Sequence, residues 1–78
     1  MQLKEIFRNN VHAARRAREW SQEYMAQQLG ISHITYQKIE SGKTTPNLDR
    51  VQQIAEVLEV TIAYLLGIGE YAAKILKP

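Results

Sequence analysis

The sequence predicts an all-α fold of five helices followed by a short extra helix at the C-terminus. Apolar residues recur at the three- and four-residue spacing of amphipathic helices through most of the 78 residues. Serine, asparagine or threonine precedes four of these apolar series, and glycine follows three of them, as expected at helix starts and ends. A chain of this length forms one small domain with a compact core.

The first helix is predicted from about Leu3 to Arg18. Its core-facing residues recur at helical spacing: Leu3, Phe7, Val11, Ala14 and Ala17. A second helix follows Ser21, whose hydroxyl can cap the helix start, and Glu23 in its first turn is favourably placed against the positive helix end. Gly30 can take the positive φ that ends this helix.

The third helix is predicted to begin after Ser32 and to end near Ser41. It turns Tyr36 and Ile39 inward and leaves an outer face of His33, Ile34, Gln37 and Lys38. Two short helices joined at a glycine, with polar residues at the front of the second, are typical of a DNA-reading helix-turn-helix. An ordinary helical hairpin with a solvated face has the same spacing, so the spacing alone leaves both interpretations open.

A loop at residues 42–46 is predicted before the fourth helix, since Gly42 ends a helix and Pro46 disfavours a helical residue before it. Asn47 or Thr45 caps the fourth helix. Its apolar face comprises Leu48, Val51, Ile54, Ala55 and Leu58.

A short fifth helix opens at Thr61 and stops near Gly67, packing Ile62, Leu65 and Leu66. The tail at residues 68–78 is expected to contain a short helix from about Glu70 to Lys77 with one apolar side formed by Tyr71, Ile75 and Leu76. A helix this short does not persist alone in water, so it must dock onto something. We therefore expect a domain at residues 1–67 and a separate tail.

An ordered set of residues along these helices resembles the Cro/repressor-type helix-turn-helix family, also called the XRE family. The set is Arg15, Trp20-Ser21-Gln22-Glu23, Met25-Ala26, Gly30-Ile31-Ser32, Ile39-Glu40, Gly42-Lys43, Pro46, Ile54-Ala55, Leu58 and Leu65. The resemblance covers roughly residues 5 to 66 and implies a compact lambda-repressor-like DNA-binding domain. Met25 stands where the family usually has Leu, and Tyr36 where it usually has Ile or Val. Both suit a core position, and the Tyr36 hydroxyl could reach toward the DNA backbone.

The resemblance implies base contacts from four residues of the third helix: His33, Ile34, Gln37 and Lys38. The chemistry permits each contact, since glutamine can pair with adenine, lysine can donate to guanine, and an aliphatic side chain can pack on a thymine methyl. Lys38 lies a turn deeper, where a phosphate is its other possible partner. For His33 and Ile34 the alternative is simple exposure to water.

The resemblance implies phosphate contacts from Gln22 at the start of the second helix and from Ser41, Lys43 and Thr44 in the loop that follows the third helix. Thr35 is a plausible addition. Solvation is the alternative for Lys43 and Thr44. The resemblance also pairs Arg15 with Glu40 as a structural salt bridge, although Arg16 or Arg18 could take the place of Arg15, or Glu40 could be exposed.

Charge is distributed unevenly, although the net charge of +2 is too small to indicate nucleic acid by itself. Residues 1–43 contain seven Lys or Arg and four Glu, a net charge of +3. Residues 44–78 contain three Lys or Arg and four Asp or Glu, a net charge of −1. The basic half is the half that contains the predicted helix-turn-helix.

Several protein classes find no support in the composition. The chain has no cysteine, and its two histidines are too few for a zinc site, so we expect no metal and no cofactor. Neither a membrane-spanning apolar run nor a signal peptide is evident, which favours a soluble, cytoplasmic protein. We also expect the protein to have no enzymatic activity and no small-molecule ligand, since the sequence has no nucleophile motif, phosphate-binding glycine loop or paired-carboxylate signal.

Together these observations predict a repressor-like transcriptional regulator that binds double-stranded DNA as a homodimer on a pseudo-palindromic operator. The dimer interface is expected to comprise Ile62, Leu66, Tyr71, Ile75 and Leu76. The alternative is a module that grips a protein partner with the tail, such as an antitoxin that binds its toxin or a target of an antirepressor, and uses the same helix-turn-helix for autoregulation.

Overall fold

The computed structural model describes residues 2–68 and contains five α-helices in this range. They are α1 (Leu3–Ala17), α2 (Gln22–Leu29), α3 (His33–Ser41), α4 (Leu48–Leu58) and α5 (Ile62–Leu66). The predicted all-α class and the order and approximate bounds of the five helices are confirmed. The predicted tail helix lies outside the described residues.

Side-chain caps begin four of these helices. The side chains of Ser21, Ser32, Asn47 and Thr61 each accept a hydrogen bond from the backbone N–H three residues later. Asn47, rather than Thr45, is therefore the cap of α4. Gly30 ends α2 in the left-handed conformation with φ of 70°, a value that glycine adopts without steric cost. The angle between α2 and α3 is thus set locally, by the glycine and the Ser32 cap.

The core is one apolar cluster to which all five helices contribute. Its buried members are Phe7, Val11 and Ala14 of α1, Met25, Ala26 and Leu29 of α2, Tyr36 and Ile39 of α3, Val51, Ile54, Ala55 and Leu58 of α4, and Leu65 of α5. The first helix contacts α3, α4 and α5, while α2 packs against α3 and α4. The supporting helices therefore hold α3 from its inner side and leave its outer side open.

Three predicted core positions of α1 and α4 lie at the surface instead, as does Ile62 at the start of α5, which was predicted to pack and is 42% exposed. Leu48 is 85% exposed and Leu3 is 53% exposed, and Ala17 is also exposed. Leu3 and Leu48 are the first residues of α1 and α4, and Ala17 is the last residue of α1. Helical spacing identifies the inward face of a helix but not how far along its length a neighbour covers that face, so the prediction was wrong at these helix ends.

Candidate nucleic-acid interface

A cleft of about 490 Å³ opens at the surface where side chains of α1, α2 and α3 meet. Its lining residues are His12, Gln22, Ile34, Gln37, Lys38, Glu40, Ser41 and Lys43. Most of the side chains that the sequence singled out as DNA contacts thus share one surface. His33, Thr35 and Thr44 do not line this cleft, and Thr44 lies instead beside a second, apolar groove.

The outer face of α3 is open to solvent, as the helical spacing predicted. Ile34 is 66% exposed, and His33, Gln37 and Lys38 are exposed as well. At the start of the helix, the Ser32 hydroxyl accepts from the Thr35 N–H at 3.1 Å and donates to the Thr35 hydroxyl at 2.8 Å. The Thr35 hydroxyl therefore keeps its own proton for an outside acceptor.

The loop after α3 folds back onto the end of that helix. The backbone N–H of Thr44 donates to the Lys38 carbonyl at 3.2 Å, and the Ser41 hydroxyl approaches the same carbonyl at 3.3 Å. Gly42 has φ of 82°, and a Cβ atom there would lie 3.0 Å from Cδ of Arg8. This close, left-handed turn holds the loop so that Lys43 lines the cleft.

A buried ion pair lies beneath the cleft. Arg15 on α1 donates from Nε to Oε2 of Glu40 at 2.9 Å and from Nη2 to Oε1 at 2.8 Å, and its Nη1 donates to the Trp20 carbonyl at 2.6 Å. Both side chains are buried. Arg15 is thus the partner of Glu40, whereas Arg18 donates to the Leu58 carbonyl at 3.0 Å at the far end of α4.

Tyr36 completes the buried side of this cluster. It is fully buried, and its hydroxyl donates to Oε2 of Glu40 one helical turn later on α3. Burial and, after it, the neighbouring Glu40 carboxylate raise the pKa of the Tyr36 hydroxyl. The expectation that this hydroxyl reaches toward a DNA backbone is therefore wrong, because the hydroxyl donates its hydrogen bond to the buried Glu40 carboxylate instead.

Ionisation of Glu40 is secured by these donors. Burial alone would raise the pKa of the Glu40 carboxyl, but hydrogen bonds from Arg15, Tyr36 and His12 outweigh burial and lower the pKa to about 2. The hydrogen bond to Glu40 also raises the pKa of Arg15 against the opposing effect of burial. At neutral pH Glu40 is a carboxylate, which can accept hydrogen bonds but cannot donate them.

The hydrogen-bonded cluster extends from Glu40 to the surface through Gln22. The Gln22 side chain donates from Nε2 to Oε1 of Glu40 at 3.3 Å, and Nε2 of Gln37 donates to Oε1 of Gln22 at 3.4 Å. These bonds are long and therefore weak, but they give both amides a preferred orientation. Two residues predicted separately for phosphate and base contact are thereby linked.

His12 is the cleft residue that the sequence analysis did not assign. Its Nδ1 lies 2.6 Å from Oε1 of Glu40, and its side chain is 49% exposed. His12 precedes Arg15 by three residues on α1, so the two lie on one side of that helix. That spacing, together with the expected Arg15–Glu40 pair, was the available signal.

Residues 2–68 contain neither a metal-binding cluster nor a membrane-spanning helix. No group of three or more metal-ligating side chains there is arranged to hold an ion. The helices of that region are also too short or too polar to cross a bilayer.

Comparison with known proteins places this geometry in a family. Residues 11–65 match the family model described as helix-turn-helix. The cryptic phage CTXphi transcriptional repressor RstR of Vibrio cholerae is 37% identical over 67 residues, which cover 86% of this chain and 56% of RstR. The HTH-type transcriptional regulator AnsR of Bacillus subtilis is 38% identical over 53 residues, covering 68% of this chain and 46% of AnsR. The HTH-type transcriptional activator BcrR of Enterococcus faecalis is 35% identical over 61 residues, covering 78% of this chain and 30% of BcrR.

The chain spans about half the length of the first two of these relatives. Among solved structures, the crystal structure of the hypothetical transcription factor NHTF from Neisseria superposes with a TM-score of 0.81 at 24% identity, covering 96% of this chain and 86% of the other. At that identity the likeness shows a common fold. The family model matches more than half of the chain, and the chain therefore belongs to the XRE-type helix-turn-helix family of transcriptional regulators.

Proposed function

We propose that the chain binds specific double-stranded DNA sequences by laying α3 in the major groove and acts as a repressor-like transcriptional regulator. The observation that carries this proposal is the pairing of an exposed polar face on α3 with a buried anchor on the same helix, Glu40. Base recognition needs side chains held in fixed positions. Arg15 and Tyr36 supply that restraint from the inner side.

Base contacts in this proposal come from His33, Ile34, Gln37 and Lys38. Gln37 has the strongest case, because its amide can pair bidentately with adenine and Gln22 already orients it at the cleft. Ile34 offers an exposed aliphatic surface to a thymine methyl, and Lys38 offers a donor to guanine.

Phosphate contacts are proposed for Gln22, Thr35, Ser41, Lys43 and Thr44, which lie at the starts of α2 and α3, at the last residue of α3 and in the loop after it. Gln22 uses one amide hydrogen on Glu40 and has a second for an outside oxygen. Such contacts fix the orientation of the protein on the duplex without selecting a sequence.

A homodimer on a pseudo-palindrome is proposed because one short reading helix meets few base pairs. Three apolar side chains in or beside α5 support this: Ile62, Tyr64 and Ile68 are between 42% and 46% exposed. Leu66, also predicted at the interface, is half-buried against its own core. The predicted interface residues Tyr71, Ile75 and Leu76 lie outside the described residues.

The second candidate, a module that binds a protein partner such as a toxin or an antirepressor, is supported by an apolar groove of about 230 Å³. Leu3, Phe7, Leu48 and Leu66 are among its lining residues, and Leu48 is the most exposed large apolar side chain of the described region. This groove is separate from the cleft, so a partner there would leave α3 free to bind DNA.

Selection of bound fragments from a pool of random duplexes tests the proposal. A homodimer with two α3 helices should enrich a pseudo-palindrome whose half-sites lie about one helical turn, roughly 10 base pairs, apart or a multiple of this. A pool that shows no enrichment, from protein that is folded by circular dichroism, would overturn sequence-specific binding.

A further inference from the structure

We propose that His12 is a further DNA-binding residue, which contacts a backbone phosphate as an imidazolium, so that binding of DNA takes up a proton. This inference rests on the DNA-binding function proposed above. It is carried by the position of the His12 ring, which lines the cleft and contacts the buried Glu40 carboxylate.

The contact with Glu40 favours a proton on Nδ1 of His12. Nδ1 lies 2.6 Å from Oε1 of Glu40, and a carboxylate oxygen can only accept. An unprotonated Nδ1 would direct its lone pair at that oxygen, which is repulsive at this distance. Nδ1 therefore carries the proton and donates it to Glu40. Nη2 of Arg15 lies 3.3 Å from the same Nδ1, but it donates its own hydrogen bond to Oε1 of Glu40.

Fixing the proton on Nδ1 decides what Nε2 can do. In the neutral ring Nε2 has a lone pair and is an acceptor, so it cannot hydrogen-bond to a phosphate oxygen, which is also an acceptor. In the imidazolium Nε2–H becomes a charged donor, the kind that binds phosphate strongly. A ring that is half exposed in the cleft thus binds a phosphate only after it gains a second proton.

Charges around His12 favour joint binding of a proton and a phosphate. The Glu40 carboxylate on α3 and the Arg15 guanidinium on α1 both lie against the ring and carry opposite charges. Gln22 on α2 is neutral, and Lys38 and Lys43 add positive charge to the same cleft. When His12 is neutral, the opposite charges of Arg15 and Glu40 cancel. With His12 charged, the cluster has one unbalanced positive charge, which an incoming phosphate would neutralise.

The location of His12 favours a phosphate over a base. His12 belongs to α1, outside the proposed reading helix, and its ring shares Oε1 of Glu40 with Gln22 at the start of α2, the helix that crosses the DNA backbone in a helix-turn-helix. Gln22, which also donates a hydrogen bond to Glu40, is itself a proposed phosphate contact. A phosphate held between these two side chains would rest on hydrogen bonds that Glu40 orients from below.

The test compares the pH dependence of duplex binding in four full-length proteins: wild type, His12→Gln, His12→Arg and His33→Gln. Only His12 and His33 are histidines, so His33→Gln removes the other imidazole; because His33 is a proposed base contact, this variant is compared by the change in its affinity with pH and not by the affinity itself. The probe is a fluorescent duplex of random sequence, because a phosphate contact does not depend on sequence. Affinity is measured near pH 6 and near pH 8, which span the usual titration of imidazole, and thermal melts are recorded at both values to separate binding from folding.

We expect wild type and His33→Gln to gain about fivefold to tenfold more affinity than His12→Gln between pH 8 and pH 6, within the usual range of coupling between two sites. His12→Arg should bind well at both pH values. At the lower pH, the slope of log affinity against log salt should be steeper for wild type than for His12→Gln by about 0.9, the value for one phosphate.

Each other outcome overturns part of the account. Equal pH dependence in wild type and His12→Gln, with duplex binding retained, would overturn the His12 proposal alone. A loss of affinity in His12→Gln that is confined to the duplex enriched by selection, and absent on the random duplex, would move the contact from a phosphate to a base and also overturn it. Absence of duplex binding by every folded variant at either pH would overturn the proposed function itself.

Discussion

Arg15 on α1 and Glu40 at the end of α3 form a two-pronged buried ion pair, with Nε and Nη2 of the guanidinium on separate carboxylate oxygens at 2.9 and 2.8 Å. The pair ties the proposed reading helix to its supporting helix. Because Arg15 also holds the Trp20 carbonyl before α2, one side chain fixes all three elements around the cleft. The first predictions test this arrangement.

Arg15→Ala and Glu40→Ala should each lower the free energy of unfolding by on the order of 3 kcal/mol, because each leaves a buried charge without its partner. The double variant should lose less than the two single losses added together, since no charge is then stranded. Urea melts measure all three values. Arg16→Ala, at an exposed neighbouring position, is the control and should change little. Strictly additive losses would show that the two side chains do not interact.

Acid should destabilise the protein through Glu40. Its folded pKa of about 2 lies below the ordinary value of 4.5, so its stabilising effect is complete above about pH 4.5 and is lost as the pH falls through 2. Between these limits the wild type should lose on the order of 3 kcal/mol more unfolding free energy than Glu40→Gln does.

Urea melts at a series of pH values measure this difference. Glu23→Gln, which removes an exposed carboxylate on α2, is the control and should keep the acid dependence that Glu40 causes. Equal acid sensitivity in wild type and Glu40→Gln would contradict the lowered pKa.

Tyr36→Phe removes a donor from a buried carboxylate and should cost about 1–3 kcal/mol of unfolding free energy. The pKa of Glu40 should rise in this variant, because the Tyr36 hydroxyl is one of the groups that lower it. Thermal melts and acid titration check both effects. Weaker duplex binding with unchanged stability would instead indicate that the hydroxyl faces the DNA backbone.

Self-association should depend on α5. Ile62→Asp places a charge among the exposed apolar side chains proposed as the interface, and sedimentation at matched micromolar concentrations should show a shift from dimer to monomer. Leu48→Asp is the control in the apolar groove, which shares Leu66 with the predicted interface but not Ile62, and it should leave the dimer intact. Loss of the dimer in Leu48→Asp alone would move the interface to the groove, whereas a monomeric wild type would leave both surfaces to other partners.

The fold was predictable because its boundaries are set by local chemistry. Ser21, Ser32 and Asn47 cap the helices that follow them, and Gly30 and Gly42 end helices in the left-handed conformation. The outer face of α3 was predictable for the same reason, since helical spacing alone separates Tyr36 and Ile39 from their exposed neighbours. No long-range contact is needed for either inference.

The cluster at Glu40 was only partly predictable because it is assembled over long sequence separations. A resemblance suggested Arg15 as the partner of Glu40, but the residues alone did not separate Arg15 from Arg16 or Arg18. Helical spacing placed His12 on the side of Arg15, and Tyr36 one turn before Glu40, but it did not indicate that the His12 ring and the Tyr36 hydroxyl both reach the Glu40 carboxylate. The exposure of residues at helix ends was not predictable for a related reason, since the exposure of Leu48 depends on where the neighbouring helices stop.

The central claim is that α3 reads DNA bases while the loop after it holds phosphates. Its most direct test is selection from random duplexes carried out in parallel with wild type, Gln37→Ala and Lys43→Ala. We predict that Gln37→Ala loses the preference at one base position in each half-site, at a cost of about 1–3 kcal/mol on the wild-type site. Lys43→Ala should enrich the wild-type sequence while binding every duplex more weakly. Identical, sequence-independent losses in both variants would contradict the assignment of α3 as the reading helix.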